Sequence, residues 1–284
     1  MKVLFTFAFI LVCTLCRGNA IDSLKTDDDV RAFLKGRTSH RDDYDVLTNC
    51  KPAVNEILST IKYLKIDLNN DGLTDLIVNG YYLFAVVDDG KGRFKTEFID
   101  RGAFYQYQYA LADVYDRSGK PKVIVRKLPQ HGEGEIKSHY DTLVMGYNGF
   151  VEYNGIAEND IEEISLSTSG CFGECPIFEL TVGSDGTAVF NAIEYNDRKG
   201  KLQCEIDTAS LGKLFRLANY IHPKRLADKY AVHWTDDQTA TLTVTFKDGS
   251  IKIIKDYGMI GTFGLERLYN AIFRLTGSQK WEHQ

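Results

Sequence analysis

The spacing of apolar residues changes three times along this chain, and each change marks a new segment. Val3 to Cys16 is largely apolar, flanked by Lys2 and by Gly18-Asn19-Ala20. From residue 21 to about 60 apolar positions fall at helical intervals. Thr26 is placed to cap a helix whose first turn, Asp27 to Asp29, suits the positive end of a helix dipole. Val30, Phe33 and Leu34 supply its apolar stripe, and Gly36 follows to end it. A second helix is predicted from Pro52, with Val54, Ile57, Leu58 and Ile61 on one side.

Between about 61 and 157 the period becomes two, as half-buried strands require. Strands are predicted at Ile61–Ile66, Asp75–Val78, Tyr81–Val87 and Phe94–Ile99. A second set follows at Tyr107–Val114, Lys122–Lys127, Thr142–Tyr147 and Phe150–Tyr153. Asp89-Gly90 and Asn148-Gly149 are hairpin signals between apolar runs. The stretch from Ile66 is repeated loosely from Ala112, about 46 residues on, a spacing within the range of propeller blades. One four-stranded unit is written twice.

From about 160 to 277 strands and helices mix. Four strands are predicted between Ile164 and Ile206, then a helix over about 208–221 carrying Leu211, Leu214, Phe215, Ala218 and Ile221. A hairpin, Ala240–Phe246 and Ser250–Tyr257, turns through Lys247-Asp248-Gly249. A last helix carries Leu265, Leu268, Ile272 and Phe273 and ends at Gly277. One-sided helices in this order suit an antiparallel sheet covered on one face.

Composition narrows the function. With 44% hydrophobic residues the chain can bury a core, and 34 basic against 39 acidic residues leave no electrostatic footprint for a nucleic-acid partner. The apolar run after Lys2 is too short to span a bilayer, and no later run is longer, so no transmembrane segment is expected. Its positive start and small-residue tail make 1–20 a signal peptide, and the protein periplasmic, extracellular or bound to the cell surface. Without Lys2 and Arg17 the remainder carries 32 basic and 39 acidic groups. Outside the cytosol its four cysteines, Cys50, Cys171, Cys175 and Cys204, tend to pair. Three pairings exist, and spacing favours Cys171 with Cys175.

The sharpest motif runs from Asp67 to Asp75. Asp67, Asn69, Asp71 and Asp75 offer side-chain oxygens at positions 1, 3, 5 and 9, and the Leu73 carbonyl falls at position 7. Gly72 permits the sharp turn between them. Hard oxygen donors in this number suit calcium, although an ordinary Asn/Asp/Gly turn needs no ion. An EF-hand would carry Glu at position 12, where Val78 stands. The loop resembles the calcium loop of FG-GAP and VCBS-type repeats, and that resemblance implies a structural calcium between two blade strands of an exported binding protein. In the second repeat, Asp113 to Gly119 keeps a turn without the ligand spacing.

Cys171-Phe172-Gly173-Glu174-Cys175-Pro176 lacks the Cys-x-x-Cys spacing of thioredoxin-like sites. With the strand Ile177–Val182 and the turn Asp185-Gly186, it resembles a bacterial family, domain of unknown function 6438, across about 115 residues. The resemblance implies a domain boundary and no activity. The cysteine pair is read as a disulfide staple, with a thiol site or half a metal site as alternatives. Tyr105, Tyr107 and Tyr109 alternate along one strand face, as sheet packing or as an exposed platform for sugars. His131, Glu133, Glu135 and His139 match no zinc spacing.

The sequence therefore predicts a β-rich α+β chain in four parts. Residues 1–20 are the signal peptide and 21–60 a short helical lead. Residues 61–157 form two blade-like antiparallel β repeats, and 158–284 an antiparallel sheet covered on one face by two helices. The expected function is an exported, non-enzymatic binding or structural module with a calcium-braced repeat region and an unidentified protein or carbohydrate ligand. The alternative is an exported enzyme, either a thiol oxidoreductase using Cys171 and Cys175 or a hydrolase.

Overall fold

Thr26 accepts a hydrogen bond from the Asp29 amide while the Asp29 carboxylate takes the Thr26 amide, a reciprocal cap that starts helix α1 (Asp27–Leu34). The computed structural model describes residues 18–37, 45–48, 61–100, 107–115, 120–129, 139–155 and 160–284. The apolar run of the expected signal segment, the helix from Pro52, Cys50, Tyr105, His131, Glu133 and Glu135 lie outside them. Val30 and Leu34, one turn apart, are the buried face of α1.

Strands β1 (Tyr63–Ile66), β2 (Asp75–Asn79), β3 (Leu83–Asp88) and β4 (Phe94–Phe98) form an antiparallel sheet in chain order. Leu76, Val78, Phe84 and Val86 pack beneath Val30, Leu34, Ile21 and Leu47. Ile77, Leu83 and Ala85 point to the opposite face. Both faces are covered, which explains why β2 is buried along its whole length. Gly80 is required by a close approach: a Cβ there would lie 1.6 Å from the Val46 carbonyl oxygen.

A second sheet, β5 (Tyr107–Tyr115), β6 (Lys122–Pro129), β7 (His139–Gly146) and β8 (Gly149–Glu152), is again antiparallel and in chain order. Tyr109, Leu111, Val123, Val125, Leu143 and Phe150 pack it against Ile77 and Ala85 of the first. The β7–β8 turn is Tyr147-Asn148, at φ 53° and 66°, and not the Asn148-Gly149 pair expected from the sequence. Gly149 has another task. A Cβ there would stand 2.1 Å from the Arg267 guanidinium carbon, so the missing side chain admits that arginine.

The third sheet is built from β9 (Ile161–Thr168), β10 (Ile177–Gly183), β11 (Thr187–Glu194), β12 (Gly200–Glu205), β13 (Lys229–Ala231), β14 (Thr239–Phe246), β15 (Ile251–Tyr257) and β16 (Glu282–His283). Its order is β13-β15-β14-β9-β10-β11-β12-β16. Helices α2 (Thr208–Tyr220) and α3 (Phe263–Ser278) share one core with its inward residues, among them Leu166, Leu180, Phe190 and Leu242. Leu214 and Leu217 come from α2, and Leu265, Leu268 and Ile272 from α3. The sheet is not antiparallel throughout, because β13 runs parallel to β15. Three residues are too few to show a period, so that strand has no signature in the apolar pattern. The chain is thus β-rich α+β, with mostly antiparallel sheets. Among the described residues no helix is long and apolar enough to cross a membrane.

Candidate metal centre

The loop from Asp67 to Asp75 joins β1 to β2 and is held from beneath by Leu68, buried in the core between the first two sheets. Asn70 and Gly72 adopt positive φ, 60° and 85°, the left-handed conformation that glycine and asparagine accept most readily. Asp67 accepts the amides of Asp71 at 3.2 Å and Gly72 at 2.8 Å. Asp71 accepts the Leu73 amide at 2.9 Å, and its other oxygen takes the Asn69 side-chain amide at 2.9 Å. The tip is tied to the N-terminal segment: Asn19 donates to the Thr74 carbonyl, and Thr74 donates to Asp22 at 2.7 Å.

Asp75 differs from the others because it is fully buried. One oxygen accepts the Leu68 amide at 2.8 Å and the other the Asp88 amide at 2.9 Å. Burial pushes its carboxyl up to about 7 against those two hydrogen bonds, and the charges of Asp71 and Asp67 push the same way. Among the described residues no lysine or arginine forms an ion pair with any of the three aspartates. The donor set is hard oxygen throughout, the donor type that a hard divalent cation takes. In the geometry described, the side chains bond the loop's own amides, and Asp75 also that of Asp88. No three His, Cys, Asp or Glu side chains among the described residues converge as a metal-holding group. On the second sheet Asp113 is exposed and bonds the adjacent Val114 amide.

Cys171 and Cys175 stand at disulfide distance, with Cα atoms 5.8 Å apart. Their turn is anchored by Gln238, which donates to the carbonyls of Ser169 at 2.8 Å and Pro176 at 2.9 Å. Thr168 adds a third tie, donating to the Pro176 carbonyl and accepting the Phe178 amide. Phe172 at the tip is 91% exposed. Cys204 on β12 is half-buried with a free thiol, which burial pushes up to about 11. Tyr109 is buried against Phe263, so that ring of the tyrosine stripe is packing. His139 is exposed and sits 3.3 Å from Asp141.

Four acids, Glu97, Asp100 and Asp256 buried and Glu152 half-buried, had no signal in the sequence. Glu152, at the end of β8, accepts the amides of Phe263 at 2.7 Å and Gly264 at 2.9 Å, capping α3 from another sheet. Glu97 on β4 pairs with Arg267 of α3 at 2.7 Å and also with Lys95. Asp100 bridges the sheets' connection by accepting the amides of Leu83 and Tyr109. Asp256 is fully buried and receives the amides of Ile260 and Gly261 ahead of α3.

Residues 162–276 match the family described as Domain of unknown function (DUF6438). The match runs from β9 into the last turns of α3 and takes in the Cys171–Cys175 turn. No curated protein and no solved structure matches the chain.

Proposed function

We propose that the protein is an exported, non-enzymatic binding or structural module whose first sheet is braced by calcium. Asp67, Asn69, Asp71, Asp75 and the Leu73 carbonyl would hold the ion. Calcium would supply charge neutralisation at the β1–β2 link and no reaction. The observation that carries this reading is the set of three aspartates in one nine-residue loop with no cationic partner among the described residues. The resemblance to FG-GAP and VCBS-type loops and the two four-stranded meanders support it. The amino-terminal apolar run supports export to the periplasm, the medium or the cell surface, where calcium is abundant. Cys171 and Cys175 act as a staple of the turn before β10, a role that agrees with the ties from Gln238 and Thr168.

The test is thermal unfolding of the full chain in calcium and in chelator. Without the bidentate Glu of an EF-hand, a Kd of about 10⁻⁴–10⁻³ M is expected. At ten times Kd the gain is about 1.4 kcal/mol. Asp71→Ala should remove that gain. Superimposable curves in calcium and chelator would reduce the loop to an ordinary turn.

A further inference from the structure

Two clefts away from the metal-loop carboxylates meet at a single side chain. The first, about 570 Å³, lies beside the β7–β8 hairpin and the end of α2, where Tyr147, Tyr153 and Tyr220 share its wall with Lys120 and Lys122. The second, about 440 Å³, runs between α2 and α3 and is edged by Lys213, Arg216 and Arg274. Both volumes fall in the range of small-molecule sites. Tyr147 lines both clefts. It is held there at φ 53°, a backbone conformation that aromatic residues rarely adopt and that stores local strain.

The charged side chains that line the two clefts are all cationic. Neither lining contains an Asp or Glu, in a chain whose acidic residues outnumber its basic ones 39 to 34. None of the five cations forms an ion pair with a carboxylate among the described residues. Lys122 instead rests on aromatic faces, its nitrogen 3.8 Å from the Tyr153 ring centre and 5.7 Å from that of Tyr115. Tyr153 is 50% exposed, and Tyr147 and Tyr220 stand 5.2 Å apart. Flat rings offer stacking surface, while the phenols and the side-chain amides of Asn70 and Asn154 offer hydrogen bonds to hydroxyl groups.

We propose that this groove binds an acidic oligosaccharide, its sugar rings against the tyrosines and its anionic groups against Lys120, Lys122, Lys213, Arg216 and Arg274. The proposal deepens the binding-module reading given above by naming the ligand class. It does not require calcium, although Asn70 of the metal loop forms part of the wall. A short ligand is favoured over a long polyanion such as nucleic acid, because the chain's net charge of −5 opposes long-range capture of a polyanion.

Isothermal titration of the full chain separates these possibilities. The probes are a trimer of galacturonic acid, maltotriose as the neutral control, and a short oligothymidylate. The uronate trimer should bind, and its affinity should fall several-fold between about 20 and about 200 mM salt as screening shortens the reach of the cations. The double variant Lys122→Gln/Arg216→Gln should lose about tenfold in affinity with an unchanged melting temperature. Lys122→Arg/Arg216→Lys should retain binding. Equal binding of maltotriose, tighter binding of oligothymidylate, or no binding of any probe overturns the proposal. Repeating the titration in chelator distinguishes the two failures. Binding that persists without any calcium-dependent melting shift overturns the calcium brace alone. A calcium shift without uronate binding overturns the groove alone.

Discussion

A carboxylate placed between two backbone amides deep in a sheet faces competing demands. The amides of Leu68 and Asp88 favour the charged form of Asp75, while burial and the neighbouring Asp71 and Asp67 oppose it more strongly. Its folded-state value of about 7 lies above the ordinary 3.8, so the folded chain holds a proton that the unfolded chain releases. The stability contributed by this proton is fully present below about pH 4 and is lost as pH rises through about 7. Calcium requires the ionised form, so its stabilising effect should grow over the same interval. Denaturant melts at about pH 5 and about pH 8, with and without calcium, measure both slopes. A calcium effect that is larger at the lower pH contradicts the assignment of Asp75 as a ligand. The motif that flagged Asp75 was legible because its residues are adjacent in sequence. Its burial was not, since that depends on strands packed over it from elsewhere.

At the scale of elements, alternation of apolar residues reports which strands have two distinct faces, and it located most of the longer strands within a few residues. It failed for Lys229–Ala231 and Glu282–His283, which are too short to establish a period. Helix caps were legible where donor and acceptor are neighbours, as at Thr26 with Asp29. At α3 only half of the cap is local: Thr262 accepts the Leu265 amide three residues on, but the amides of Phe263 and Gly264 are met by Glu152 from more than a hundred residues earlier. Glu152→Gln should cost about 1–2 kcal/mol, because a neutral amide loses the favourable interaction with the helix dipole and offers only one acceptor. Arg267→Ala should cost more, about 3 kcal/mol, by leaving buried Glu97 with only Lys95. Urea unfolding of both variants checks the order, and equal effects would contradict it. A disulfide between Cys171 and Cys175, which stand at disulfide distance, would close a short loop, so its removal should cost only about 2–3 kcal/mol. Peptide mapping under non-reducing conditions should recover these two cysteines joined. Alkylation of both without prior reduction would overturn the proposed staple.

For the whole molecule, the boundary near residue 158 separates two patterns of sequence but not two isolated cores. Phe263 of α3 sits in the core between the first two sheets, beside Tyr109 and Phe150. Glu152 and Arg267 cross the same divide. A fragment of residues 160–284 should still fold, since α2 and α3 complete a core with their sheet. It should melt several degrees lower than the same region in the full chain, because Phe263 becomes exposed and two α3 amides lose their acceptor. Differential scanning calorimetry of fragment and full chain provides the comparison. Equal melting temperatures would falsify this coupling.

Local patterns sufficed to determine the β-rich α+β character, the order of the helices and most strands, the cap of α1 and the two motifs. Each depends on residues a few positions apart, and period, capping and turn chemistry act over that distance. Tertiary structure decided what lies farther away. It brought Glu97 to Arg267, Glu152 to the start of α3, and Lys120 and Arg274 to two clefts that share Tyr147. It also assigned Gly149 to an arginine and the turn to Tyr147 and Asn148. Such contacts arise from the register of whole elements against one another. That register is set by packing summed over three cores, so no single stretch of the chain carries a signal for it.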